Sequence, residues 1–250
     1  MQRFFLPEEA FNGEQVRFTK AASHQIVQVL RMSMGRDKVA VIDPEGRESL
    51  VRLMSVQEGL VQGLQIGPLP ANEEAALRLC LCFSLSRREK VELILQKCTE
   101  IGVAAFQPYV SSRSLVQECS LEEKKQKRLE TIVQEACEQA HRQHIPQIQP
   151  ALPYEALLKN PAEGCQKLLA WEEAENCQRL NKEHIGGHCE PLYLLIGPEG
   201  GLSEDEASLA EKAGWQVISL GKSILRMETA CIAAAAIAIY LGEEAHQRCK

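Results

Sequence analysis

From residue 77 onward, short β-rich apolar runs alternate with segments whose apolar side chains recur at helical spacing, and few folds satisfy that alternation. Leu77 to Leu85 reads as a strand. Glu89 to Ile101 reads as a helix, with Val91, Ile94, Leu95, Cys98 and Ile101 on one face and Gly102 as its cap. Val103 to Tyr109 is a second strand, and Leu121 to Arg142 a long helix with Leu129, Ile132, Val133, Ala136 and Ala140 in phase. Lys167 to Trp171 and Leu192 to Ile196 are further strands. Ser203 to Ala213 is a helix opened by a capping box of Ser203 and Glu206. Gln216 to Leu220 is the last strand and Thr229 to Leu241 the last helix. Strands separated by helices return parallel to one another, so the pattern predicts an α/β fold with a mainly parallel sheet covered by helices.

The first seventy residues follow another rule. Val39 to Ile42 is a short strand, followed by the turn signal Asp43-Pro44-Glu45-Gly46. Gly59, Gly63 and Gly67 punctuate more short strands, and one brief helix is expected over Ser23 to Leu30. These features predict a small β-barrel-like module. Pro68, Pro70 and Asn72 read as a linker, so the expected domains are residues 1–72 and 73–250.

Charge and cysteines narrow the function. The net charge is −6, yet residues 1–70 hold eight basic and eight acidic side chains, and residues 71–150 eleven of each. The acidic excess lies in residues 151–250, so the first 150 residues can still present a basic face to nucleic acid. No apolar run is long enough to cross a bilayer, and Met1 to Pro7 lacks the pattern of a secretory signal, which together predict a cytoplasmic protein. The ten cysteines include no CxxC pair and read as reduced, small apolar residues. Cys137, His141 and His144 share one helix face, but no fourth ligand accompanies them, so no metal is expected.

Ligands of open α/β sheets bind at the carboxyl ends of strands. Two such ends stand out: Leu195-Ile196-Gly197-Pro198-Glu199-Gly200-Gly201, and Leu220-Gly221-Lys222-Ser223-Ile224-Leu225-Arg226-Met227-Glu228-Thr229-Ala230. Each follows a strand and precedes a helix whose amide-bearing end points back at the loop. One glycine-rich turn alone is commonly just a tight turn; two in successive βα units, both bearing charges, suggest a ligand. Neither fits a phosphate cradle, and no GxGxxG occurs, which weighs against a nucleotide-dependent transferase.

These two loops resemble the signature segments of the RsmE family, SPOUT-class methyltransferases acting on small-subunit ribosomal RNA. Arg3-Phe4-Phe5, His24 with Val29-Leu30-Arg31, Gln96 to Val103, and Glu135 to Gln139 followed by Arg142 and Pro146 are similar to the family as well. The likeness thus spans nearly the whole chain. Met227 stands where the family usually has threonine, Leu202 where phenylalanine is common, and Ala140-His141-Arg142 also departs from the usual pattern.

The resemblance implies an N-terminal PUA-like β-barrel and a C-terminal SPOUT domain with a trefoil knot. It implies S-adenosyl-L-methionine as cofactor, held by the loop after Trp171, by Leu195 to Gly201, and by Leu220, Gly221, Ile224, Leu225, Arg226, Thr229 and Ala230. It implies a homodimer whose substrate is 16S ribosomal RNA or the small ribosomal subunit, and uridine N3 as the methyl acceptor. Arg226, always charged, is the candidate to stabilise the developing uracil anion. Glu199 or Glu228 would accept the proton or orient Arg226, although an acid at the start of a helix is favoured in any case. Lys97 and Arg142 are candidates for phosphate or the target base, and Arg3, His24 and Arg31 for RNA backbone, against ordinary solvated or structural roles. The small-residue helix Thr229 to Ala238 suits either close helix contact between subunits or a plain core. The competing readings are another SPOUT enzyme acting on a ribose 2′-hydroxyl of transfer or ribosomal RNA, and a non-catalytic RNA-binding protein.

Overall fold

The apolar residues of the first seventy positions turn inward along strands and close over one core. A computed structural model describes residues 1–70, 74–120, 122–162, 164–172, 177–185 and 191–247. They form two compact units, Met1–Glu74 with Cys137–His144, and Ala75–Ala136 with Ile145–Lys250. The expected boundary between 72 and 73, and the expected helix start at Leu121, lie outside the described residues.

The first unit contains β1 (Arg3–Phe5), β2 (Phe11–Asn12), β3 (Gln15–Arg17), α1 (Lys20–His24), β4 (Lys38–Ile42), β5 (Glu48–Gln57) and β6 (Leu60–Pro68). The strands pair in the order β1-β4-β5-β6-β3-β2, antiparallel except for β1 with β4, as a half-barrel. Phe4 and Phe18 meet edge to face inside it at 5.9 Å, among Ile26, Val41, Val51 and Leu53. The brief helix starts three residues earlier than expected, because Thr19 caps it by accepting from the Ala22 N–H (3.2 Å). It continues as a π-helical turn over Gln25–Val29.

Short strands were expected around Gly59, Gly63 and Gly67; instead β5 and β6 run ten and nine residues. Only Gly59 marks a turn, sharing positive φ with Glu58. Gly63 lies inside β6, where a Cβ would press on Val51 Cγ1 and lie 3.1 Å from the Phe18 ring and 3.3 Å from the Arg52 carbonyl. A glycine that reads as a break in sequence here serves close packing.

The segment 137–144 completes this unit through Glu74. That carboxylate receives Arg142 through Nε and Nη2 (3.2 and 3.0 Å) and the N–H groups of Gln143 and His144 (2.8 and 3.1 Å). Burial works against its ionisation, but Arg142 and the two N–H groups outweigh it and hold the carboxyl below its ordinary range. Cys137 Sγ donates to the His144 carbonyl, and burial pushes the thiol up to about 12. Among the described residues no group of three His, Cys, Asp or Glu side chains is placed to hold a metal.

The second unit contains β7 (Leu79–Ser84), α2 (Arg88–Ile101), β8 (Ala105–Val110), most of α3 (Glu123–Ala140), β9 (Gln147–Ile148), β10 (Leu152–Pro153), α4 (Tyr154–Lys159), β11 (Gln166–Ala170), β12 (Leu192–Ile196), α5 (Glu204–Lys212), β13 (Gln216–Ile218) and α6 (Met227–Gln247). Every named strand pairing is parallel, in the order β10-β8-β7-β12-β11-β13, with β9 also on β8. β7 is buried at every position, as a central parallel strand must be. The capping box of α5 forms as expected, Ser203 and Glu206 exchanging hydrogen bonds of 3.2 and 3.0 Å. Ala230, Ala234, Ala235 and Ala238 of α6 are buried, and the helix packs on α2 and β7. The small-residue face is therefore core, while Ile237 and Tyr240 are exposed. No helix among the described residues is long and apolar enough to cross a membrane.

Gly63→Ala should destabilise the protein by about 1–3 kcal/mol through overpacking. Gly67→Ala, whose Cβ would meet nothing within 4 Å, should change stability by no more than about 0.5 kcal/mol. Urea unfolding of the two variants against the parent measures both.

Candidate active site

The parallel register of β12 with β11 and of β11 with β13 brings three carboxyl ends together. The loops in question follow strands that flank β11 rather than each other, so the segment after β11 forms the middle of the wall. A cavity of about 310 Å3 opens there, walled by Ala170 to Glu172, Ile196 to Glu199, and stretches of Ser219 to Ala230, with Lys90 of α2 at its side.

Local chemistry sets each wall. The Tyr109 hydroxyl, fully buried, donates to the Ile196 carbonyl (2.8 Å) and fixes the end of β12. Trp171 N–H donates to the Ile218 carbonyl (3.2 Å), tying the end of β11 to β13. Ser219 Oγ accepts from Gly221 N–H (3.1 Å), and Gly221 takes a φ of 130°, which side-chain-bearing residues rarely adopt. The helix whose amino end lines the cavity is α6, through Met227 and Ala230. The amino end of α5 is closed by its own capping box and does not line it.

Of the residues expected to hold a cofactor, Trp171, Ile196, Gly197, Pro198 and Glu199 line the cavity. So do Leu220, Gly221, Ile224, Leu225, Arg226 and Ala230. Leu195 is buried within β12, and Thr229 faces outward. Gly200 and Gly201 lie off the cavity wall: Gly200 packs against Arg113, which donates to its carbonyl (3.3 Å), and a Cβ on Gly201 would stand 2.6 Å from Glu172 Oε1. Lys90, Ala170 and Ser219 line the cavity without having been singled out from sequence, while Glu172, Ser223 and Met227 line it from within the expected loops.

Lys90 organises the charges. Its Nζ lies 3.3 Å from Glu199 Oε1 and 3.2 Å from Glu228 Oε2, while Ser86 Oγ also donates to Glu199 Oε1. Burial opposes ionisation of Glu228, but its own backbone N–H at the start of α6, Lys90 and then Arg226 prevail and hold its carboxyl below the usual range. Arg226 itself is exposed. Trp171 Nε1 and Glu199 Oε2 are buried without a hydrogen-bond partner among the described residues. A donor and an acceptor left open at one cavity suit a polar ligand that carries both.

The residues expected to touch RNA divide. His24 and Arg31 are exposed on the first unit. Arg3 is bound to Glu48 at 2.6 Å, and Arg142, only 9% exposed, to Glu74 at 3.0 Å. On α2, Lys97 pairs with Glu100 at 2.8 Å.

A family model described as the RNA methyltransferase domain matches residues 73–239. The ribosomal RNA small subunit methyltransferase E of Bacillus subtilis is 30% identical over 245 residues, 92% of this chain and 93% of that protein. Its namesake in Synechocystis is 33% identical over 231 residues, 90% and 72% of the two chains. The crystal structure of the Neisseria gonorrhoeae enzyme of that name, bound to S-adenosyl methionine, superposes with a TM-score of 0.85 at 30% identity, covering 96% and 98%. With the family model matching residues 73–239, 30% identity over nearly the whole of the Bacillus subtilis protein and the fold of the Neisseria gonorrhoeae enzyme, the chain belongs to the ribosomal RNA small subunit methyltransferase E (RsmE) family of RNA methyltransferases.

Proposed function

We propose that this chain transfers a methyl group from S-adenosyl-L-methionine to N3 of a uridine in 16S ribosomal RNA. The observation that carries this reading is the cavity at the three carboxyl ends, with Arg226 exposed at its mouth and two carboxylates gathered by Lys90. About 310 Å3 lies at the lower end of the range of small-molecule pockets, roughly 300–1,000 Å3. The carboxylates on its wall, Glu172 and Glu199, suit a cationic donor, and the open Trp171 N–H suits an acceptor on it.

Bound S-adenosyl-L-methionine supplies an electrophilic methyl group on its sulfonium. The walls at Trp171, Gly197 and Leu225 hold and orient it. Uracil N3 becomes a nucleophile as its proton leaves, and Arg226 stabilises the negative charge that develops on the ring. Glu228, held ionised and close to Arg226 in charge, is a poor base and serves to orient that guanidinium. Glu199 keeps Oε2 open and is our candidate to take the N3 proton.

We assign residues 1–72 to a PUA-like RNA-binding barrel and 73–250 to the knotted catalytic domain. His24, Arg31 and Lys97 are assigned to RNA contact. Arg3 and Arg142, engaged with Glu48 and Glu74, hold the first unit in shape instead. Exposed Ile237 and Tyr240 on α6 support a homodimer, and the reaction belongs in the cytoplasm, where ribosomal subunits are assembled.

Labelled donor, the purified protein and small subunits from a deletion strain should together give 3-methyluridine at one nucleotide; a methylated ribose in its place refutes the assignment. Arg226→Ala should lower kcat by about 10²–10³ while cofactor affinity stays within several-fold. Normal turnover in that variant removes its role. A carboxyl held low is active above its pKa and loses function as pH falls through it. Lys90→Ala removes a cation that keeps Glu228 low, so the acid limb of the kcat/KM profile should move to higher pH. An unmoved acid limb would mean that Lys90 does not set the ionisation of this site.

A further inference from the structure

The carboxyl edge of the parallel sheet continues past the cofactor cleft. Beyond β12 lie β7 and β8, and a second groove, of about 510 Å3, opens between the chain leaving β7 at the start of α2 and the start of α3. Its floor is apolar, made by Leu85, Val91, Val116 and Leu129. Its rim carries Arg87, Arg88, Lys124, Lys125 and Arg128 against the carboxylates of Glu92 and Glu122. This local cationic excess sits on a chain of net charge −6. Arg88 and Arg128 both clasp Glu92 at 2.6 Å, and Lys125 lies 3.6 Å from Glu122. Arg87 and Lys124 have no ion-pair partner among the described residues. Ser86 belongs to both sites: it lines the groove and donates to Glu199 in the cleft.

We propose that this groove seats the RNA strand flanking the target nucleotide, its floor against a base and its rim against phosphates. The proposal rests on the RNA methyl-transfer reading above and extends it to the path of the substrate. A polyanion matches the rim, and an apolar floor matches the flat face of an unstacked base. Ser86, on the groove wall and hydrogen-bonded to Glu199 of the cleft wall, sets the two sites side by side. A second copy of this chain fits less well. A two-fold interface sets the same patch against itself, which here would oppose cation to cation.

The test uses the full chain, a 16S ribosomal RNA transcript as probe, and the double variant Arg87→Glu/Lys124→Glu. A control, Lys159→Glu/Lys212→Glu, makes the same change in net charge on exposed positions of α4 and α5. RNA affinity should fall at least about tenfold near 0.1 M salt. The slope of log affinity against log salt should flatten by about 1.4–1.8, the share of two phosphate contacts. S-adenosyl-L-methionine affinity should stay within about twofold, and the control should behave as the parent. RNA affinity and salt slope equal to the control's overturn the proposal. A changed sedimentation mass with unchanged RNA binding also overturns it, and gives the groove to a second copy. If the reversal lowers the melting temperature, Arg87→Gln/Lys124→Gln reads the same slope. A parent protein that methylates no RNA defeats the methyl-transfer reading and this one together. A parent that methylates, with a variant that binds RNA normally, defeats the groove alone.

Discussion

Two carboxylates drawn close together repel each other unless a cation lies between them, and here one, Glu199, lines the cavity while the other, Glu228, sits in the first turn of α6. Lys90 is that cation, within 3.3 Å of both Glu199 and Glu228. Its position is a product of core packing. Val91, Ile94, Leu95 and Cys98 bury the inner face of α2, and α2 packs along α6, so Nζ emerges where the two loops converge. Losing one partner of a fully buried ion pair costs about 3–5 kcal/mol. Here the three side chains keep 13–27% exposure, so the cost to stability is smaller and the effect on charge at the site dominates.

The remainder of the cleft follows from sheet register. β11 lies between β12 and β13, pairing Ala170 with both Ile196 and Ile218. Three strand ends therefore finish at one level, and the three following segments have one place to meet. Tyr109 and Trp171 lock that level with single hydrogen bonds from their hydroxyl and backbone N–H. Because the strands are buried on both faces, shifting one of them would move apolar side chains into misfit across the whole sheet, which keeps the cavity's shape tied to the core.

Much of this was legible along the chain. Period and punctuation located β12 to the residue, and the Ser203–Glu206 box located the start of α5, because both depend on neighbours in sequence. Gly63 was misread because its reason, Val51 across the sheet, lies on another strand. Lys90 and Ser86 carried no local signal at all: each acts through partners brought in by β12 and α6. The ion pairs of Arg3 with Glu48 and of Arg142 with Glu74 could not be read from sequence, because the partners are distant along the chain and only folding brings them together. Gly200 and Gly201, expected at the cofactor, lie off the cavity wall beside Arg113 and Glu172, neighbours that only the fold brings to them.

An acidic chain that works on RNA presents an apparent contradiction that distance resolves. Exposed charges separated by more than about 10 Å at 0.1 M salt are largely screened from one another. A phosphate in contact therefore responds to the few side chains around it, not to the sum over the molecule, and the counterions it releases depend on those contacts alone. The net charge of −6 limits how strongly the protein is drawn to RNA from afar. It does not limit binding where cations cluster. A cationic patch of limited size is therefore enough to hold a strand of RNA on a chain whose total charge is negative.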